Sequence, residues 1–338
     1  MIQLPSGRNV RRGAVSALAV TATLSAAACG GNLGGGAGGG DEFPQGPITM
    51  LVGQDAGGST DLIARALAEG ASEELGVAMP VENAPGANGA LAANQLAEED
   101  PNGQHLMVIN ASLTAITPLA VSDEEAVDIN DYEVVTGVSR DDYVLVTAAA
   151  SDYDSLQDVV DAGGGLKFGT TGVGTGSQLA QELLFEQAGV DGTAVPFTGG
   201  SPTLTAVLGE EVDVAAVQLG EAIAQIEAGE LVPLVTFSED TNQYLPDVPT
   251  AVEEGYEVRV SQYRAVVAPA GTPEEVVEEL RTAFTAVFET DSYRSFNEDN
   301  LLTPHEIEPA QVTEEWTGYL EEYRGMVEEY GIDLSEER

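Results

Sequence analysis

The chain has 338 residues, with 57 acidic side chains against 12 basic ones and a formal net charge of −45 at pH 7. Such a field repels phosphate backbones and anionic headgroups, which excludes nucleic acid and acidic membrane surfaces as partners. The acids are scattered along helical segments rather than gathered in a tail, and they read as solvated faces suited to a saline or alkaline medium that screens self-repulsion.

The chain opens with processing signals. Arg8, Arg11 and Arg12 form a basic region, Ala14 to Ala28 is an apolar run of small residues, and Cys29, the only cysteine, follows directly. Residues 1–28 therefore read as a secretory signal. It resembles the lipoprotein type, in which Cys29 becomes the lipidated N-terminus and the membrane contact. Arg11-Arg12 leaves a twin-arginine export route open. The next stretch, "GGNLGGGAGGGDEFPQG", makes residues 29–46 a flexible tether that builds neither core nor helix. No later segment reaches the ~18 or more apolar residues of a spanning helix.

Short apolar runs then alternate with helical patterns. Strands are expected at Ile48–Gly53, His105–Asn110, Tyr143–Ala148, Leu166–Thr170, Ala194–Phe197, Val212–Val217 and Leu231–Phe237. Helices are expected at Thr60–Leu75, Ser177–Ala188 and Ser201–Leu208. This alternation predicts α/β domains with largely parallel sheets, in which ligands bind beyond the carboxyl ends of the strands. A further helix begins at "GTPEEVVEEL", where Thr272 and Glu275 are spaced as a capping box. In it Val276, Leu280, Phe284 and Phe288 form an i+4 core stripe.

Three strand-to-helix turns share one chemistry. They are "GQDAGGSTD" (53–61), "GTTGVGTGS" (169–177) and "FTGGSPTL" (197–204), the last with Ser201 as expected N-cap and Pro202 in the first turn. The second turn lacks the Gly-Lys-Ser/Thr of a P-loop, and Ser177 stands where a dinucleotide fingerprint needs glycine. What remains is a helix N-terminus with free N–H groups, which suits a carboxylate as well as a phosphate; a plain capped turn is the competing reading.

Six stretches in order resemble the solute-binding receptors of tripartite tricarboxylate transporters, the Bug receptors. They are "PITMLVGQDAGGSTDLIARALAE", "VENAPGANGALAANQLA", "GTGSQLAQELL", "VPFTGGSPTLTAVLGEEVD", "LPDVPTAVEEGYEV" and "VVAPAGTPEEVVEEL". The resemblance runs from about Pro47 to the C-terminus. It implies an α/β, two-lobed periplasmic-binding-protein fold with a ligand cleft between lobes, placed at residues 46–142 plus 267–338 and at 143–266. It also implies a receptor that passes a small carboxylate, a di- or tricarboxylate, to membrane permease subunits; a monomer without cofactor or metal is expected, and an amino acid is the ligand to which Asp55 would shift the reading. Carried over by position, the cleft takes Gln54, Asp55, Gly57, Gly58, Ser59 and Thr60 from the first turn. The second supplies Thr171, Gly172, Gly174, Thr175 and Ser177. The third supplies Gly199, Gly200 and Ser201, while Gln218 to Glu221 and the Gln262–Arg264 segment complete the set, with Gln218 and Arg264 as named ligands.

Several residues depart from the family pattern: Gln54, Asp55, Gln178, Gln262 and Tyr263. Asp55 either faces solvent or meets an ammonium group or a cation, since a second carboxylate beside a bound one is unfavourable. Arg264 is either a fork for a distal carboxylate or an interlobe salt bridge. A sensor of the same fold and a carboxylate-using hydrolase are the rival functions. The two histidines, His105 and His305, form no zinc motif, because "HEIE" at 305–308 is not H-E-x-x-H, and no G-x-S-x-G elbow occurs.

Overall fold

The computed structural model describes residues 43–335. The signal, Cys29 and nearly all of the tether lie outside the described residues. Within them, β1 (Thr49–Val52), α1 (Ser59–Leu75), β2 (Val81–Asn83), α2 (Ala90–Ala97), β3 (His105–Asn110) and α3 (Ala111–Ala115) come first. There follow β4 (Tyr132–Ala148), α4 (Leu156–Ala162), β5 (Gly164–Thr170), α5 (Gly176–Ala188), β6 (Asp191–Pro196) and α6 (Gly200–Leu208). The chain continues through β7 (Val214–Gln218), α7 (Leu219–Glu227), β8 (Leu231–Thr236) and β9 (Ser261–Pro269). It ends with α8 (Glu274–Phe288), α9 (Asp291–Asp299), β10 (Thr303–Pro304) and α10 (Pro309–Tyr330).

The long strand β4 serves two sheets. Its first part, Tyr132 to Asp142, pairs antiparallel with β9; its last part, Tyr143 to Ala148, pairs antiparallel with β7 and β8. The first sheet runs β2-β1-β3-β9-β4 with β10 alongside, and the second adds β7, β5 and β6 to β4. Parallel pairing is confined to β2-β1-β3 and to β7-β5-β6. Both sheets are thus mixed rather than largely parallel, because the strands nearest the junction run against their neighbours.

Each sheet is covered on both faces at its centre, so strands such as β3 read as continuous apolar runs. In β3, Leu106 and Val108 enter the core beneath α1 and α8, whereas Met107 and Ile109 enter the opposite core with Trp316 of α10. In β4, Tyr143 and Leu145 join the α5 side of the second sheet, and Val144 and Val146 join the side of α6 and α7. The α8 stripe Val276, Leu280, Phe284 and Phe288 is buried as its spacing predicts. Two placements differ from the expected lobe division. Ser261 to Val266 belong to β9 and pair in the first sheet. Helix α10 and the residues after it serve both sides, with Val312 and Trp316 in a first-sheet core and Tyr323, followed by Ile332 and Leu334 beyond the helix, in a second-sheet core.

Two expected caps do not form. Helix α8 starts after Pro273 with no side-chain cap, and Thr272 Oγ1 donates instead to the Pro269 carbonyl at 2.8 Å. Helix α6 starts one residue early, with Gly199 as N-cap at φ +118°, a conformation that glycine tolerates; Ser201 lies inside the first turn.

Candidate functional site

The carboxyl ends of β1, β3, β5, β6 and β7 all lead to one cleft of about 850 Å³, within the range of small-molecule sites. The first-sheet wall is the 53–60 turn with Asn88 and Asn110; the second-sheet wall is the 171–175 turn, the 196–202 turn, Gln218 and Glu221. Tyr143 and Gln262 line it where the two sheets meet. The first wall depends on a close backbone approach, since a Cβ on Gly53 would stand 2.5 Å from the Gly89 Cα.

The turns differ in what their N–H groups do. Helix α1 has Gly58 as N-cap and no side-chain cap, so the first-turn N–H groups of Ser59 and Thr60 have no intrahelical partner. The N–H groups before them are engaged: Gly57 donates to Asp61 Oδ2 at 2.8 Å and Gly58 to the Asp55 carbonyl at 3.3 Å. Asp61 is buried, which opposes its charge. Hydrogen bonds from Arg65, the Gly57 N–H and Asn83 outweigh that cost and hold its pKa low. Helices α6 and α7 likewise start at Gly199 and Gln218 without side-chain caps.

The α5 turn is closed by its own side chains. Thr175 Oγ1 accepts from Gln178 N, Gln178 Oε1 accepts from Gly174 N at 2.9 Å, and Ser177 Oγ accepts from Thr171 N at 3.1 Å. Ser177 Oγ also donates to the Ala216 carbonyl at 2.6 Å and is fully buried. The Gly174 carbonyl accepts from Thr117 Oγ1 at 3.0 Å and from Asn88 Nδ2 at 3.4 Å.

The structure therefore brings most of the expected residues to the cleft: Gln54, Asp55, Gly57, Gly58, Ser59, Thr60, Thr171, Gly172, Thr175, Gly199, Gly200, Ser201 and Gln218 all line it. Gly174, Ser177 and Arg264 do not. Asp55 lines the cleft yet is exposed. Sequence reasoning left Asn88, Asn110 and Tyr143 out of the set, and it reached Glu221 only as the end of the Gln218 to Glu221 loop, with no role of its own. Asn88 sits within the quoted "APGANG" marker, the one signal that pointed to it; Tyr143 read only as a strand residue.

Arg264 lies behind the α1 turn, 1% exposed. Its Nε donates to Thr60 Oγ1 at 3.0 Å, and its Nη2 lies 3.1 Å from Ser59 Oγ, 3.2 Å from Gln218 Oε1 and 3.3 Å from Asp141 Oδ2. The ion pair with Asp141 is fully buried. Burial raises the Asp141 pKa to about 6 against the pull of Arg264, and Asp142 adds to the rise. Glu221 is pushed up to about 7, first by burial and then by Asp141, with Arg264 opposing. One of its carboxylate oxygens lies where a Cβ on Gly200 would fall. Gln262 Nε2 donates to Ser112 Oγ at 3.0 Å and to Tyr143 Oη at 3.3 Å, and burial holds that hydroxyl protonated.

Among the described residues no helix is long and apolar enough to cross a membrane. The family model described as the tripartite tricarboxylate transporter family receptor matches residues 63–331. The UPF0065 protein in the TAR-I ttuE-ttuC' intergenic region of Agrobacterium vitis is 34% identical over 251 residues, 72% of this chain and 71% of that protein. Protein BugT of Bordetella pertussis is 27% identical, over 87% of this chain and 92% of its own. A solved periplasmic transporter superposes with a TM-score of 0.80 at 26% identity, covering 86% of this chain and 99% of that one. The MatC protein of Rhodopseudomonas palustris, solved with bound malate, gives 0.77 at 25% identity, covering 84% and 100%. These neighbours share the two-lobed periplasmic-binding architecture, and the chain belongs to the receptor family of the tripartite tricarboxylate transporters.

Proposed function

We propose that the chain is an extracytoplasmic receptor that captures a small organic carboxylate and delivers it to the membrane subunits of a tripartite tricarboxylate-type transporter. The observation that carries this reading is the convergence of α1, α6 and α7 on one cleft, each starting without a side-chain cap. Free first-turn N–H groups and the positive ends of helix dipoles hold a carboxylate without any cationic side chain. Malate in the MatC neighbour supports a ligand of this size and charge.

The cleft is read as binding its ligand without transforming it, in keeping with a receptor family. Cys29 carries the lipid anchor, and residues 29–46 lift a monomeric receptor off the membrane. Its lobes are residues 46–142 plus 267–338 and residues 143–266, except that Ser261 to Val266, as part of β9, go with the first lobe, and the crossover in β4 lies at Asp142–Tyr143. They close on the ligand by hinge motion there.

A thermal-shift screen of di- and tricarboxylates, amino acids and aromatic acids tests the reading, since a ligand at 100 times its Kd stabilises by about 2.7 kcal/mol. Hits are expected among small carboxylates, with a more compact scattering profile in their presence. A flat screen against folded protein removes the receptor assignment.

A further inference from the structure

The charges around the cleft are wrong for a plain diacid. Among its lining residues the acidic groups are Asp55 and Glu221, and no lysine, arginine or histidine lines it. Arg264, the nearest guanidinium, is paired with Asp141 behind Ser59 and Thr60, and its unpartnered Nη1 is sealed from solvent. One carboxylate is accommodated by the uncapped helix starts. A second carboxylate finds no counter-charge, and it enters a chain whose net charge is already −45.

Glu221 stands out within this arrangement. It projects from the first turn of α7, and its carboxylate lies against Gly200 at the start of α6. Among the described residues no side chain or backbone N–H donates to it. The groups that face it are Asp141 and Tyr143 of β4 and Arg264 of β9, of which only Arg264 favours its charge. Glu221 is half-buried in the cleft wall, where a carboxylate without a donor is costly, and an ammonium group from the ligand supplies both charge and hydrogen bonds.

We propose that the ligand is a small amino acid whose carboxylate rests on the uncapped starts of α1 and α6 and whose ammonium group is taken by Glu221. This rests on the receptor reading and names its ligand class. Glu221 is then the residue that separates amino-carboxylates from plain carboxylates of equal length. Its raised pKa near 7 adds a signature: an ammonium partner pulls the carboxyl back to its ionised form, so binding near pH 7 releases protons.

Titration calorimetry on the full chain tests this with matched pairs: aspartate and succinate, glutamate and glutarate, 4-aminobutyrate and butyrate. The amino member of at least one pair is expected to bind ten- to a hundredfold more tightly, with proton release that depends on the buffer used. Glu221→Gln should erase that preference, weakening the amino acid while leaving the plain acid unchanged or tighter. Glu221→Asp, which keeps the charge, should retain part of it. Plain diacids that bind tightly while amino acids do not would overturn the ligand class and leave the receptor reading intact. Diacid binding that appears only with calcium and vanishes with chelator would overturn it in favour of a metal–carboxylate complex. Failure of every carboxylate, amino or plain, removes both readings.

Discussion

The α1 and α5 turns look alike as sequence and behave differently as structure. "GQDAGGST" and "TTGVGTGS" are both rich in glycine and hydroxyl residues, and both end a strand and start a helix. The α5 turn is the richer, yet its Thr175, Ser177 and Gln178 side chains take up three of its N–H groups, those of Gln178, Thr171 and Gly174. The α1 turn starts at a bare glycine cap, and so does α6. Loop composition shows that a turn is able to approach an anion. Whether its donors are free depends on side chains one turn further on, and on what lies behind them.

The contrast is sharpest in two glycines. Gly200→Val puts a branched side chain where the Glu221 carboxylate lies, inside the cleft. Overpacking of about 1–3 kcal/mol predicts a ten- to hundredfold loss of ligand affinity by calorimetry. Gly174→Val acts elsewhere. Gly174 has φ +66° and a Cβ there would stand 3.0 Å from the Thr117 Cα, so the cost falls on stability, about 2–3 kcal/mol. Gly174→Val should show the larger drop in melting temperature, and Gly200→Val the larger drop in affinity. The opposite order would return the ligand to the α5 turn.

Ser59 and Ser177 give the next test. Ser59→Pro removes a first-turn N–H at the helix position that accepts proline, and Gly58 before it is extended at φ −76°, ψ 166°, as a pre-proline residue prefers. Relative to Ser59→Ala, which removes only the hydroxyl bonded to Arg264 and Asp141, loss of one hydrogen bond to a charged ligand, about 1.5–3 kcal/mol, should cost ten- to a hundredfold in Kd. Ser177→Ala instead leaves the Thr171 N–H and the Ala216 carbonyl short of a partner. It should lower stability by about 1–3 kcal/mol in denaturant melts and leave affinity within about threefold.

A smaller effect distinguishes the cleft wall by pH. Glu221 has a folded pKa raised from the ordinary 4.5 to about 7, so the folded chain favours its protonated form. The stability this confers is complete below pH 4.5 and is lost as pH rises through about 7. Without ligand, Glu221→Gln should therefore melt on the order of a few degrees higher than the parent at pH 8, and the two should coincide near pH 4. A gap that is constant with pH would mean that Glu221 is not held in the protonated form. The smallest effect is expected at Asp55, which lines the cleft but is exposed. Asp55→Asn should change affinity by less than about threefold at physiological salt, where exposed charges are screened.

Local chemistry determined much of this protein directly from its sequence. The end of α1, the whole of β3 and the end of α5 follow from apolar periodicity and glycine stops, which act within a few residues. So does the α8 stripe, and so does the family, whose markers are themselves short and local. The N-terminal half of β4 did not declare itself, because Arg140, Asp141 and Asp142 interrupt its apolar run. Only the tertiary structure makes that segment a strand, by pairing it with β9 and placing Arg264 against Asp141 from 123 residues away. The same distance in sequence decided the site. Ser177 is turned from the cleft by a carbonyl 39 residues on, and Glu221 is brought into it by the packing of α7 beside the start of α6. Whether a polar group meets a ligand or another part of the chain depends on partners that lie far away in sequence, and folding alone brings those partners together.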